Sequence, residues 1–332
     1  MTHAFLAAGL LAGALAAGPV HAAPHVDPFT SFWALGDSLT DNGNVFAVAP
    51  GAIPSPPYFN GRVSSGPTYA EYIAADFAAQ GKPTGNLAFA GALAATDGDL
   101  IPDLAAQAFA PFPIYADGQA GLTSRAGQFG LRPLVSLFFG SNDILGTLAL
   151  GGDPVAAAAN AAQQVLDAMG GLALAGVRDF VVLTLPDFAQ TPRLNGQPAP
   201  VRALATAASL QFNAALAGGI PGLQPGISVT QVNVFSALGD VIADPGAYGL
   251  SNTTDSCLSF GVDGLGNPTI TGVCADPASY VFFDEIHPTG PVHAALADAA
   301  RAALTPVPLP AAGWALLAGL AGLAATARRR AA

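Results

Sequence analysis

The chain has 332 residues, 52% of them apolar and only 10% charged, with a formal net charge of −11. Such a composition excludes intrinsic disorder, which goes with few apolar groups and much charge. The excess of 22 acidic over 11 basic residues excludes the basic patch that nucleic-acid binding requires, and the apolar segments sit partly at the two ends around an α/β-like middle, which excludes a polytopic membrane protein.

In chain order, residues 1–22 come first, with an apolar run Ala4–Ala17 and small residues around Val20-His21-Ala22. They resemble a secretory signal peptide cleaved before Ala23. Phe32–Leu35, closed by Gly36, predicts a strand. Tyr69, Tyr72, Ile73 and Phe77 have helical spacing over 68–80. Leu87–Ala90, closed by Gly91, predicts a second strand, and Leu134–Phe139, closed by Gly140, a third. Pro154–Met169 predicts a helix with Asp153 as N-cap and Pro154 at N1. Phe180–Leu185 predicts a fourth strand, Val201–Ala217 a helix, Ile227–Phe235 a fifth strand, and Pro291–Leu304 a last helix. Strands alternating with helices predict a parallel sheet covered on both faces. The Gly/Pro-rich stretches 50–67 and 244–279 are expected to be long functional loops.

The chain closes on Val307-Pro308-Leu309-Pro310, an apolar stretch Ala311–Ala327, and Arg328-Arg329-Arg330. The apolar stretch reaches the lower limit of the ~17–25 residues that span a bilayer, and the arginines would hold its end in the cytoplasm. These features resemble sorting tails of the PEP-CTERM type, in the VPLPA variant. The resemblance implies export by a Gram-negative bacterium, exposure at the cell surface or outside it, and an exosortase-type processing enzyme as partner; a plain membrane anchor is the alternative. The domain organisation is then a signal peptide (1–22), a body (23–305) and a tail (306–332). The body holds 8 basic and 22 acidic residues, a net charge of −14, which disfavours anionic partners. Its two cysteines, Cys257 and Cys274, are expected to form one disulfide in an oxidising compartment, worth ~3 kcal/mol; two free buried thiols are the alternative.

The residues suited to chemistry follow the strands, where open α/β sheets place their ligand crevice. Gly36-Asp37-Ser38-Leu39 follows the first strand, Gly91 the second, and Gly140-Ser141-Asn142-Asp143 the third. Asp284-Glu285-Ile286-His287-Pro288 precedes the last helix. In this order the four blocks resemble the GDSL or SGNH hydrolase family, whose name residues fall on Ser38, Gly91, Asn142 and His287. Asp41-Asn42-Gly43-Asn44 and the block Pro57 to Pro67 are similar to its larger members, the plant-type lipases and lecithinase/haemolysin-like enzymes. Phe283 stands where Trp is frequent. The resemblance implies a three-layer α/β/α, flavodoxin-like fold with a mostly parallel central sheet of about five strands. It also implies hydrolysis of esters.

A serine hydroxyl is a poor nucleophile without an adjacent base. His287 is the candidate base, an imidazole being mostly neutral near pH 7. Asp284, three residues earlier, is the candidate orienter of the ring, with Glu285 as alternative. The resemblance assigns the oxyanion hole to the backbone N–H groups of Ser38 and Gly91 and the amide of Asn142. Asp37 and Asp143 are expected to shape turns, Asp153 and Asp187 to cap, and His293 to be an ordinary surface histidine. Phe109, Phe112, Ile114 and Tyr115 are expected either to line an acyl site or to anchor their loop. No metal-ligand spacing and no phosphate loop is visible, so no cofactor or metal is expected. Three functions follow: an exported esterase or lipase, a carbohydrate O-deacetylase on the same scaffold, or a surface structural protein without activity. The intact triad argues against the last.

Overall fold

The computed structural model of the chain describes residues 25–48, 54–111, 113–115, 118, 120–262 and 268–305. The signal peptide and the sorting tail expected from the sequence lie outside these residues, as does Phe112. Five strands form one parallel sheet: β1 (Ser31–Gly36), β2 (Thr84–Asn86), β3 (Pro133–Phe138), β4 (Asp179–Leu183) and β5 (Ser228–Val232). Their order is β2-β1-β3-β4-β5. Every residue of β1, β3 and β4 is buried, as expected of central parallel strands covered on both faces.

Nine helices appear among the described residues: α1 (Asn44–Val48), α2 (Tyr69–Ala78), α3 (Leu104–Phe109), α4 (Ser141–Ala149), α5 (Pro154–Leu174), α6 (Pro192–Asn195), α7 (Ala199–Gly219), α8 (Val234–Ala243) and α9 (Gly290–Leu304). Long helices α5 and α7 pack on each other, and α2 packs on α9. The strand order explains these two layers. Chain travel reverses direction after β1–β2, so right-handed crossovers put the helices of the two halves on opposite faces. The result is the three-layer α/β/α architecture that the sequence implies. The reversal lies between β1 and β3, and it opens a crevice at their carboxyl ends.

Local signals set several boundaries. Asp153 accepts from the N–H groups of Val155 and Ala156, with Pro154 at N1, so α5 starts as expected. At α2, the Glu71 carboxylate accepts from the Thr68 N–H at 2.9 Å.

Two expectations are corrected. The second strand is Thr84–Asn86, not 87–90. Beyond Asn86 the Leu87 and Phe89 N–H groups still donate to the Ala34 and Gly36 carbonyls, but the return bond is missing: the Gly36 N–H donates to Gln107 Oε1, and the Leu87 carbonyl accepts from the Tyr115 hydroxyl. Side chains thus take over groups that a ladder would use. The stretch 244–279 is also more ordered than a long loop. It contains β6 (Asn252–Ser256), β7 (Leu258–Val262), β8 (Pro268–Val273) and the short strand β9 (Tyr280–Phe282) just after it. β7 and β8 form an antiparallel hairpin, and β6 pairs with β9. The Cys257–Cys274 disulfide closes the hairpin. Leu258, Phe283 and Cys257 form a small core of their own with Tyr58 packed against it.

Candidate active site

Three loops meet at the crevice, and buried carboxylates and amides tie them together. After β1, Asp37 accepts from the Leu39 N–H at 3.0 Å and bends the chain so that Ser38 sits at the crest. Asp41 accepts from the N–H groups of Gly43 (2.7 Å), Asn44 (2.6 Å) and Ala90 (2.9 Å), which binds the Gly91 loop to the Ser38 loop. After β3, Asp143 accepts from the N–H groups of Ala94 and Ala95, and the Asn142 Nδ2 donates to the Ala92 carbonyl at 2.9 Å. Asp37 and Asp143 therefore hold turns, as the sequence suggested.

Gly91 has φ +91°, where a side chain is strained, and a Cβ there would lie 2.8 Å from the Ile101 methyl. Only glycine suits this crossing. Among the described residues, neither the Ser38 N–H nor the Gly91 N–H has an acceptor in the protein. The Asn142 amide uses one of its two N–H bonds on Ala92. These donors remain available to an incoming oxygen.

The fourth loop carries the base. The Ser38 Oγ–H donates to the His287 Nε2 at 2.7 Å. The other ring nitrogen, Nδ1, lies 2.8 Å from Asp284 Oδ2 and 2.9 Å from Oδ1. A carboxylate only accepts, so Nδ1 carries the hydrogen and Nε2 has its lone pair toward Ser38. Asp284 also accepts from the N–H groups of Ile286 (2.9 Å) and His287 (2.8 Å) and from the Tyr58 hydroxyl (2.7 Å). Burial alone would raise the Asp284 carboxyl. The His287 ring and the two amides outweigh that and hold it well below the ordinary carboxylate range. Glu285, the alternative orienter, instead is exposed and pairs with Arg193 at 3.4 Å.

The sequence did not single out Tyr58, yet its ring packs edge-on against Phe283 while its hydroxyl reaches Asp284. Its phenol is pushed up by burial and by the Asp284 charge. The block that carries it fastens the histidine loop at two further points. The Ser64 hydroxyl donates to the Pro288 carbonyl, and the Gly290 N–H donates to the Ser65 hydroxyl. The signal was the dense run of polar and glycine residues between Pro57 and Pro67.

His293 is a correction. It is fully buried in α9, not on the surface, and its Nδ1 accepts from the Tyr69 N–H at 3.3 Å. Burial, and then the neighbouring His287, push its pKa down to about 3, so the ring is neutral. Asp37 is buried as well; burial raises its carboxyl to about 7 against the opposing pull of the Leu39 amide. Tyr115 donates to the Leu87 carbonyl and stacks near Phe89, and Phe109 lies against Gly171 of α5, so both anchor their loop. Asp97, Asp99 and Asp103 bring carboxylates within 4.8 Å of one another. Each accepts from its own loop, at the amides of Asp99, Ile101 and Leu93 respectively, which makes them turn formers.

A cavity of about 220 Å³ opens beside Ser38, Asn142 and His287. Most of its wall is aliphatic or aromatic, from Leu39, Phe138, Leu145 and Phe188 near the nucleophile to α8 and α9 farther away.

The chain is similar to several known proteins. Residues 33–300 match the GDSL-like Lipase/Acylhydrolase family. The phosphatidylcholine-sterol acyltransferase of Aeromonas hydrophila is 27% identical over 323 residues, covering 86% of this chain and 93% of that protein. The thermolabile hemolysin of Vibrio parahaemolyticus is 27% identical over 288 residues, covering 83% of this chain and 64% of that protein. Among solved structures, the extracellular lipase of Streptomyces rimosus aligns with a TM-score of 0.40 at 20% identity, over 82% of this chain and 99% of that one. The match spans all four loops that build the crevice, and the chain belongs to the GDSL-like lipase/acylhydrolase family of ester-bond hydrolases.

Proposed function

We propose that this chain is an exported serine esterase or lipase that cleaves carboxylic esters through an acyl-enzyme on Ser38. The observation that carries this reading is the unbroken run of contacts from the Ser38 Oγ through His287 to Asp284. In the first half-reaction the Ser38 oxygen bonds to the ester carbonyl carbon while its proton passes to His287 Nε2. Asp284 stabilises the imidazolium that forms. The carbonyl oxygen gains negative charge and meets the N–H groups of Ser38 and Gly91 and the free N–H of Asn142, each such donor being worth ~2.7–4 kcal/mol. The carbon–alkoxy bond then breaks, and the alcohol leaves with the proton from His287. In the second half-reaction a water gives a proton to His287 and bonds to the acyl carbon; the bond from that carbon to the Ser38 Oγ then breaks, His287 returns the proton to Oγ, and the acid leaves.

The apolar cavity beside the nucleophile favours an aliphatic acyl group over a bare acetyl on a glycan. The Aeromonas relative is by name an acyltransferase acting on a phosphatidylcholine, which puts phospholipid among the esters to assay. Residues 1–22 direct export, and the tail 306–332 serves sorting and exosortase-type processing, with the body 23–305 carrying all of the chemistry. A panel of p-nitrophenyl esters, phosphatidylcholine and acetylated xylan tests the reading. Ester and phospholipid cleavage is the expected result, and cleavage confined to acetylated xylan overturns the substrate assignment. Mass spectrometry of the mature protein from its host tests the ends: loss of residues 1–22 and of Arg328 is expected, and a retained Arg328 overturns processing of the tail.

A further inference from the structure

Two helices that have no part in the triad turn apolar stripes toward one cavity. On α8, Val234, Ala237, Leu238 and Val241 line the cavity. On α9, Val292, Ala295, Leu296 and Ala299 line it from the other side. Both sets follow the i, i+3, i+4, i+7 spacing of a single helix face. Such faces normally close on each other, because side chains around a void lose dispersion partners. Here they close only in part: Leu238 and Val241 join Val292 in one buried cluster over Val281 and Phe282, and the gap left between the stripes is continuous with the space beside Ser38 and His287.

The strand ends supply the floor. Ser38 follows β1, Phe138 ends β3, Pro186 follows β4, and Val234 follows β5, and all four line the same cavity. Since the sheet order is β1-β3-β4-β5 across this region, the cavity crosses three inter-strand gaps. At ~4.8 Å per gap that is about 14 Å. Along α9, the seven-residue step from Val292 to Ala299 covers about 10 Å at ~1.5 Å per residue. Asp240 and Tyr248 stand among the lining residues and are exposed, which places solvent at that rim.

Resting on the ester-hydrolase reading above, we infer that the gap between α8 and α9 is the acyl-chain site and sets the length of chain the enzyme prefers. The continuity of the gap with the nucleophile and its apolar walls point to a linear saturated chain as occupant. An extended chain of ~1.5 Å bonds advances about 1.3 Å per carbon, so 10–14 Å holds about eight to eleven carbons. The chain enters carbonyl-first at Ser38 and runs along the apolar stripe of α9. Each methylene seated out of water strengthens binding about fourfold.

The test is the ratio of kcat/KM for p-nitrophenyl decanoate to that for the acetate. It is measured on the wild type, Val241→Trp and Ala299→Trp. Fluorophosphonate labelling of each variant checks that the active site is assembled. Filling the gap should lower the ratio by roughly 200-fold when about four methylenes are displaced. The loss should be matched by a shift of the preferred acyl length toward butyrate. A ratio that stays at the wild-type value in both labelled variants overturns the inference and leaves ester hydrolysis standing. Absence of Ser38-dependent hydrolysis of every ester by the wild type would overturn the underlying reading, and the inference with it.

Discussion

Replacing Asp284 with asparagine changes one atom and separates orientation from mere packing. The asparagine oxygen can still accept from the N–H groups of Ile286 and His287, which now bond to Oδ1 at 2.9 and 2.8 Å. The amide NH₂ then occupies the Oδ2 position, 2.8 Å from His287 Nδ1. It donates to that nitrogen and forces the ring hydrogen onto Nε2, which faces Ser38 at 2.7 Å. The ring becomes a donor where catalysis needs an acceptor. The imidazolium also loses its counter-charge, an interaction of about 4 kcal/mol for unit charges ~4 Å apart at an effective dielectric of ~20. That alone is about a thousandfold in rate. With the wrong tautomer added, kcat for a p-nitrophenyl ester should fall by about 10³–10⁴, as carboxylate-to-amide changes do in other triads. KM and the melting temperature should move little, since the backbone bonds survive and the Tyr58 hydroxyl, which donates to Oδ2 at 2.7 Å, can turn to accept from the second N–H of the amide. Glu285→Gln is the control: an exposed pair with Arg193 contributes little, and kcat should stay within about twofold. A loss below tenfold in Asp284→Asn, or a larger loss in Glu285→Gln, refutes the assignment of the orienter.

Three further outcomes follow from the same geometry. Asn142→Ala should lower kcat by ~10²–10³ with KM nearly constant, whereas a rise in KM alone would make Asn142 a substrate-binding group. Asp37→Asn tests the buried carboxyl, whose pKa is raised to about 7. The folded state then holds this proton where the unfolded chain, at ~3.9, has lost it, so stability from this group falls as pH rises from about 4 to about 7 and levels off above. The asparagine does not titrate, so the stability of wild type minus variant should decline across that window, by on the order of 4 kcal/mol; a constant difference would mean that Asp37 is ionised throughout. Changing both Cys257 and Cys274 to alanine opens a loop with a sequence separation of 17, which should cost roughly 3 kcal/mol in a denaturant melt. An unchanged midpoint would mean that the hairpin is held by its packing on Phe283 and Tyr58.

Much of the sheet could be read from sequence because its central strands are short apolar runs ended by glycine or proline, as in Phe32–Leu35 before Gly36 and Phe180–Leu185 before Pro186. Asp153-Pro154 gave the start of α5 for the same local reason. The second strand was misplaced because Leu87–Phe89 is apolar by packing, whereas the full ladder uses the polar Thr84–Asn86 and then loses its return bonds to the Gln107 and Tyr115 side chains. Strand β6 reads Asn-Thr-Thr-Asp-Ser and carries no apolar alternation, so only its pairing with β9 reveals it. At the site, Ser38 and His287 were singled out by the order of the blocks that carry the family resemblance, and Asp284 by its place three residues before His287; the structure brings the three together. Tyr58 was not, since its contact with Asp284 joins residues 226 positions apart. His293 looked like a surface residue because its side chain is polar, but α9 turns it toward Tyr69.

The most direct test of the account is where an active-site label lands. The protein is treated with a fluorophosphonate, digested, and the modified peptide is sequenced by mass spectrometry, in parallel with Ser38→Ala. The account requires one phosphonylated residue, Ser38, no labelling of the variant, and loss of ester hydrolysis by several powers of ten in a protein that still folds. Labelling at another serine, or hydrolysis that survives in Ser38→Ala, would contradict it.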